Sequence, residues 1–192
     1  YVFGQKSYNG VALISKDPLE NIQKNDFLES NHARHISART RTGLTIHNFY
    51  FPAGGDIPDR DLNQKFAFKL DYIKAVEQYF RPLNLSKSIL LGDLNIAPGK
   101  LDVWDHKKLL KVVSHTPIEV EYLSSLADSG PWFDILRKQN PDKKMYSWWS
   151  YRARDWSVSN RGRRLDHIWL TEDLVDRCRT CFILKEVRGW SL

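Results

Sequence analysis

Ser88-Ile-Leu-Leu-Gly-Asp-Leu-Asn-Ile-Ala-Pro98 is the stretch that most limits how this chain can fold. Ile89, Leu90 and Leu91 make a run that reads as a short buried strand. Gly92 interrupts it, and Pro98-Gly99 closes the turn that follows. Asp93 and Asn95 are thereby set at the end of a rigid strand, from which a loop can present polar groups to a substrate. The same two residues can equally bond only their own backbone, as Asp and Asn do in ordinary turns.

The surrounding pattern supplies strands and helices around this stretch. Tyr8–Ser15 reads as a turn feeding a buried strand, and Arg34–Arg39 alternates weakly before a hairpin turn at Thr42-Gly43. Leu44–Tyr50 follows as a strand with no cleanly polar face, as expected when a sheet is covered on both sides. A Pro/Gly-rich loop, Phe51–Asp59, leads to a helix over 62–80. Its stripe is Leu62, Phe66, Leu70, Ile73, Val76 and Phe80, with Asp59 or Asp61 as cap and Pro82 as stop.

Further on, Trp104, Leu109, Leu110 and Val113 mark a second helical region, and Glu119–Leu126 a third helix. Trp132–Leu136 fits strand or helix. Met145–Tyr151 is strand-like by its aromatic content, and Asp155–Gly162 is a polar loop. Arg164–Leu170 reads as a strand, Thr171–Leu174 as the start of a short helix, and Thr180–Val187 as the last strand. Strands in hairpin-like pairs with helices between them, lacking a βαβ rhythm, predict an α+β fold with two sheets and helices packed outside.

The length of 192 residues suits one domain with a real core, and 42% apolar with 27% charged residues is globular composition. No apolar run approaches the length of a membrane span, and Tyr1-Val-Phe-Gly-Gln-Lys lacks a signal pattern. The net charge of +6 is concentrated in residues 137–164, which hold nine Lys and Arg against Asp142 and Asp155. Tyr146, Trp148, Trp149, Tyr151 and Trp156 are interleaved there. Basic charge mixed with aromatics suits a surface that neutralises phosphates and stacks on bases or sugars; the plainer reading is a solvated basic face over a Trp-rich core. Cys178 and Cys181 stand C-x-x-C with no second pair, which argues against zinc and for buried reduced thiols in a reducing cytosol.

Gly92-Asp-Leu-Asn95 followed by Arg164-Leu-Asp-His167 resembles the exodeoxyribonuclease III family of abasic-site endonucleases, within the endonuclease/exonuclease/phosphatase superfamily. Gly10-Val-Ala-Leu13, Asn48-Phe-Tyr-Phe-Pro52, Tyr146-Ser-Trp-Trp-Ser-Tyr-Arg152 and Asn160-Arg-Gly162 extend the resemblance over essentially the whole chain. It implies a four-layer α/β sandwich of two mostly antiparallel β-sheets flanked by helices, DNase I-like, with residues 1–192 forming one partial domain of this type.

Phosphodiester hydrolysis needs an activated water, a stabilised pentacoordinate phosphorus and a neutralised leaving alkoxide. By resemblance, Asp93 takes the water's proton, and Asn95 holds Asp93 and the scissile phosphate. Both are candidate ligands of Mg²⁺, with Mn²⁺ as the other possibility. Tyr50 is implied to put its phenol on the phosphate, although an aromatic at a strand end is as often core. Asp166 is implied to orient a histidine. That histidine is not His167, because neighbours on a strand point to opposite faces. The family places it in a Ser-Asp-His beyond Leu192, and its main Glu metal ligand before Tyr1, so the chain is expected to be truncated at both ends. Glu20 and Glu29 fall in loops, His47 and His115 read as structural, and His106 as part of a solvated face.

Trp148 and Leu165 align with the apolar pocket that receives a flipped-out abasic sugar. Lys143, Lys144, Arg152, Arg161 and Arg163 are implied to meet the flanking phosphates, with Arg163 standing where some relatives place a second pocket aromatic. The implied protein is a monomeric, cytoplasmic, nucleoid-associated DNA-repair nuclease. It would cut duplex DNA 5′ to abasic sites and remove nucleotides or blocks from 3′ ends. A superfamily phosphatase acting on a phospholipid or inositol phosphate, and an inactive DNA-binding relative, are the competing expectations.

Overall fold

From the N-terminus, β1 (Val2–Gly4) and β2 (Gly10–Ala12) form an antiparallel hairpin. The central sheet comprises β3 (Glu20–Gln23), β4 (His35–Arg39), β5 (Thr45–Tyr50), β6 (Ser88–Asp93), β7 (Trp132–Asp134) and, after the ribbon of β8 (Trp148–Trp149) with β9 (Gly162–Arg163), β10 (Asp166–Thr171). Its spatial order is β3-β4-β5-β6-β10-β7. The helices are α1 (Gln64–Phe80), α2 (His106–Leu109), α3 (Pro117–Asp128), α4 (Ile135–Gln139), α5 (Trp156–Ser159) and α6 (Glu172–Val175). These come from a computed structural model that describes residues 1–152 and 155–190. The architecture is α+β, with mixed sheets and flanking helices.

The apolar triplet Ile89–Leu91 does form the central strand, flanked by β5 and β10. Gly43, at φ +84°, turns β4 into β5 as the Thr42-Gly43 signal predicts. The absence of a βαβ unit does not hold, because β5 and β6 run parallel and α1 makes the crossover between them. A 17-residue helix rises about 25 Å, enough to return the chain along a strand of six residues. Gly92, at φ +127°, is required where these strands meet, since a Cβ there would lie 2.0 Å from the Phe49 carbonyl oxygen.

One face of the sheet buries Phe49, Leu90 and Trp169 beneath Ile73, Val76 and Phe80 of α1 and Leu123 and Leu126 of α3. Each such side chain contributes roughly 1.5–3 kcal/mol. On the other face, Val11 and Leu13 cover Ile36 and Ala38 at one end, while Leu174 and Val175 cover Leu170 at the other. The row that carries Tyr50, Asp93 and Asp166 lies on this second face.

Several boundaries differ from the sequence expectation for local physical reasons. Leu62 is exposed and precedes α1, whose cap is Asn63, accepting from the Lys65 amide at 3.0 Å; Asp59 instead closes the preceding turn on the Asp61 and Leu62 amides. α3 starts two residues before Glu119 because Thr116 and Glu119 form a capping box around Pro117. Trp132–Leu136 is both things in turn, β7 and then the start of α4. The strand expected over 145–151 shrinks to β8, and the polar loop over 155–162 contains α5, capped by Asp155.

The second helical region is only the single turn α2. The buried strand expected over 8–15 is three residues long, with Ile14 wholly exposed. Residues 180–187 form no strand; a 3₁₀ helix occupies Lys185–Gly189 and Phe182 is exposed, because among the described residues no neighbouring strand offers the segment a ladder. Cys178 and Cys181 are half-buried free thiols rather than fully buried ones. Glu20 opens β3 rather than lying in a loop.

Candidate active site

The register of the central sheet aligns three of the expected residues. Tyr50 is the parallel partner of Asp93, and Asp93 is the antiparallel partner of Asp166. Side chains at matched positions of adjacent strands share a face, so the phenol and the two carboxylates stand in one row across β5, β6 and β10. Tyr50 and Asp93 line a cleft of about 690 Å³, shared with Asn95, Trp148, Leu165 and the arginines 152, 161 and 163. Asp166, at the exposed end of that row, is not among the residues lining the cleft.

The turn after β6 holds itself. Asn95 sits at φ +53°, a left-handed conformation that Asn tolerates. Its backbone N–H donates to one Asp93 carboxylate oxygen at 2.9 Å and its Nδ2 to the other at 3.2 Å. Nδ2 also donates to the Phe51 carbonyl at 2.8 Å, which joins the loops after β5 and β6. The ordinary-turn reading is therefore true of Asp93 and Asn95, and the cleft reading is true as well. Burial, and then the charge of Asp166, push the Asp93 carboxyl up to about 7, against the opposing pull of the Asn95 amide, Lys69 and Arg34.

Beneath Asp166 lies a buried ion network. Arg164 is wholly buried, its Nε 2.6 Å from one Asp102 oxygen and its Nη2 2.7 Å from Asp134. Arg137 joins Asp102 at 2.5 Å. Against the effect of burial, His167 and Arg164 hold Asp134 well below the usual carboxylate range. His167 points into this network, with Nδ1 3.0 Å from Arg164 Nη1 and 3.7 Å from Asp134, and Nε2 donating to the Ile96 carbonyl at 2.8 Å. It faces away from Asp166, as strand alternation requires. Ser147 Oγ accepts the backbone N–H groups of both Leu165 and Asp166 at 3.0 Å, fixing the start of β10.

The other expected residues divide into two groups. Trp148 and Leu165 are in the cleft wall, with Arg163 stacked over Trp148 at 5.6 Å and Arg161 over Trp104 at 4.9 Å. Lys143 and Lys144 are exposed outside it, and Lys144 Nζ donates to the Trp104 carbonyl at 3.2 Å. His47 and His115 are buried, and His106 is not simply solvated: its Nδ1 donates to His115 Nε2 at 2.8 Å, and His115 Nδ1 donates to the Ala97 carbonyl at 2.6 Å.

Three further supports were not read from the sequence. Arg34, itself buried, stacks over the Tyr50 ring at 5.3 Å and donates to the Tyr50 carbonyl at 3.0 Å. Lys69 of α1 is fully buried, donating to the Asn95 carbonyl at 2.8 Å and to Glu119 at 2.5 Å. A charged residue inside the apolar stripe of α1, three after Phe66 and four before Ile73, was the available signal for Lys69. For Glu119 the signal was Thr116-Pro-Ile-Glu119, the spacing of a capping box.

What the arrangement can do is hold an anionic, flat or branched ligand. Hard oxygen donors lie at its floor, stacking surfaces in its walls and guanidinium groups at its rim. Among the described residues no cluster of three His, Cys, Asp or Glu side chains is poised for a metal.

A profile of the Endonuclease/Exonuclease/phosphatase family matches residues 1–190. Exodeoxyribonuclease III of Haemophilus influenzae is 32% identical, aligned over 97% of this chain and 73% of its own length. Among solved structures, the 3′-5′ exonuclease of Neisseria meningitidis superposes with a TM-score of 0.89 at 28% identity, covering 98% of this chain and 72% of that one. An AP endonuclease from Archaeoglobus fulgidus also gives 0.89, at 26% identity over 100% of this chain and 73% of its own. With its β6 turn, its Tyr50–Asp93–Asp166 row and a match over nearly its full length, the chain belongs to the endonuclease/exonuclease/phosphatase family and, within it, to the exodeoxyribonuclease III branch.

Proposed function

We propose that this chain carries the hydrolytic centre of a DNA-repair nuclease that opens phosphodiesters 5′ to abasic sites and at the 3′ ends of duplex DNA. The single observation that carries the reading is the placement of Asp93 at the floor of an aromatic and arginine-lined cleft, in register with Tyr50 and Asp166. The names of the similar proteins, an exodeoxyribonuclease III, a 3′-5′ exonuclease and an AP endonuclease, support DNA as the substrate. Residues 1–192 would form part of one such domain, acting as a monomer in the cytoplasm. Among the described residues no helix is long and apolar enough to cross a membrane.

Each residue's part follows from its position. Asp93 is placed at the floor of the cleft to take a proton from an attacking water, with burial and the Asp166 charge raising its proton affinity. Asn95 keeps both Asp93 oxygens oriented, and its amide oxygen accepts none of the described hydrogen bonds, leaving it for the ligand. Tyr50 offers a phenol to a phosphate oxygen, braced by Arg34. Asp166 is placed to orient a proton donor from its exposed side of the row. Trp148 and Leu165 give the apolar wall, and Arg152 and Arg161 the phosphate contacts at the rim.

The donor set fits Mg²⁺ or Mn²⁺: Asp93 and the amide oxygen of Asn95 are hard oxygen ligands, and Mg²⁺ characteristically takes one or two carboxylates and fills its other positions with water and phosphate. When bound there, such an ion would supply charge neutralisation at the phosphoryl oxygens. The test is nicking of an abasic duplex by the full-length protein with Mg²⁺ and with EDTA. Nicking only with Mg²⁺ is expected, and no nicking under either condition would overturn the reading.

A further inference from the structure

Arg163 differs from the other arginines of the cleft in being built into its wall. Its Nη1 donates to the Val113 carbonyl at 2.9 Å and to Ser114 Oγ at 2.8 Å, which fixes one edge of the guanidinium plane. Its face rests on Trp148, the residue opposite it in the β8–β9 ribbon. Nε and Nη2 donate to no described residue, and Arg163 is among the residues lining the cleft, so that edge of the fork is left for a ligand.

The brace is itself costly. Ser114 is buried at φ +84°, a conformation that a serine holds only when its surroundings over-determine it. Here they do: the Ser114 N–H donates to both oxygens of Glu119, and its carbonyl accepts from Ala97 at 2.7 Å. Glu119 is committed in turn to Lys69 at 2.5 Å. Arg163 is therefore held rigidly and, among the described residues, forms no ion pair.

We infer that Arg163 is a specificity-determining residue that tunes this cleft toward phosphomonoester ends of DNA over abasic-site diesters. The inference rests on the hydrolytic reading above and sharpens it. A diester at an abasic site presents to the wall an ester arm and a neutral sugar. Both offer only neutral oxygens, weaker acceptors for a half-desolvated guanidinium than an anionic oxygen. A terminal phosphomonoester presents another anionic oxygen at the same place. A planar guanidinium with one edge already anchored meets that oxygen without losing further freedom. Trp148 and Leu165 still exclude water around the contact.

The experiment compares two duplexes of one sequence, one with a 3′-phosphate at a nick and one with an abasic site. It measures kcat/KM on each with the wild type, Arg163→Met and Arg163→Lys. Methionine keeps an aliphatic stem against Trp148 and removes the charge; lysine restores the charge without the fork. The ratio of 3′-phosphate to abasic activity is expected to fall about tenfold or more in Arg163→Met, the worth of one charge-assisted hydrogen bond, and to recover in part in Arg163→Lys. Both rates come from the same preparation, so a smaller folded fraction cancels from the ratio. An unchanged ratio in Arg163→Met, with both substrates still cleaved, would overturn this role alone. A full-length wild type that cleaves neither substrate would overturn the hydrolytic reading with it.

Discussion

Asp166 lies directly opposite Asp93 in the antiparallel β10–β6 ladder, so two carboxylates face one another across a strand pair. Like charges at matched positions are unfavourable, and part of the rise of Asp93 to about 7 is this repulsion. The strand pairing thus sets a carboxyl of raised proton affinity in the lining of the cleft.

Asp93→Asn tests that role in two ways. Cleavage is expected to fall by about 10³-fold or more, with DNA affinity changed by less than about threefold. The variant is also expected to be more stable than the wild type at pH 8, because an ionised carboxylate no longer has to stay partly desolvated beside Asp166. A nicking assay, fluorescence anisotropy and urea unfolding read the three quantities; retained cleavage excludes the assigned role.

Acid lability is expected from the far side of the sheet. His35 and His47 are stacked and buried, with His35 Nε2 and His47 Nδ1 3.2 Å apart; burial lowers His47 to about 4, and burial with His47 lowers His35 to about 2. Folded pKa values below the unfolded value of 6.5 mean that the unfolded chain takes up these protons first. Each imidazole then removes about 1.4 kcal/mol of stability per pH unit as pH falls from 6.5 toward its folded value. Asp93 works in the opposite direction, since its raised pKa makes the folded state the better proton acceptor from about pH 7 downward to 3.8. The loss of stability between pH 6.5 and 4 should therefore be shallower in His47→Gln and steeper in Asp93→Asn. Urea midpoints measured across that range decide it, and parallel curves for all three proteins would be contrary.

Gly92→Ala should cost at least about 3 kcal/mol. The methyl group would meet the Phe49 carbonyl at 2.0 Å, at a φ that alanine avoids, and neither neighbouring strand can move without opening the ladder. Chemical denaturation with an unchanged m-value is the measurement. A loss below about 1 kcal/mol would mean that the β5–β6 approach is looser than described.

Glu119→Ala leaves the Lys69 ammonium and the amides of Ser114 and Thr116 without their acceptor, and should destabilise by about 3–5 kcal/mol. Lys69→Met combined with Glu119→Gln keeps an acceptor for those amides and removes both charges, so it should be milder than Glu119→Ala alone. The comparison separates an unpaired buried charge from lost packing.

Binding to duplex DNA should weaken with salt at a log–log slope of about −0.9 per phosphate contacted, and Arg152→Ala or Arg161→Ala should each reduce that slope by about one phosphate. Titrations at several salt concentrations read it. A flat response would favour a small phosphorylated substrate.

Much of the framework was legible in the chain itself. The step pattern from Phe66 to Phe80 specifies the buried face of α1, and Thr42-Gly43 specifies the β4–β5 hairpin. Ile89–Leu91 ending at Gly92 specifies a buried strand with a polar turn at its tip, because periodicity and backbone freedom are local properties. The misread strand over 180–187 shows the limit of the same logic: alternating apolar residues make a strand only where another strand offers hydrogen bonds.

Local pattern could not supply pairing. Whether β5 and β6 run parallel, which sets Tyr50 beside Asp93, depends on where α1 returns the chain. Lys69 reaches Glu119 across fifty residues and Arg164 reaches Asp102 across sixty-two, contacts that exist only after the sheet and helices have closed. The sequence by itself determined that a rigid strand end presents the polar residues Asp93 and Asn95. Only the tertiary structure decided that Asp93 is pressed against Asp166 and that Arg163 is anchored in the wall of the cleft. Proton affinity and guanidinium orientation are set by neighbours distant in the chain, through burial and charge rather than through local backbone preference.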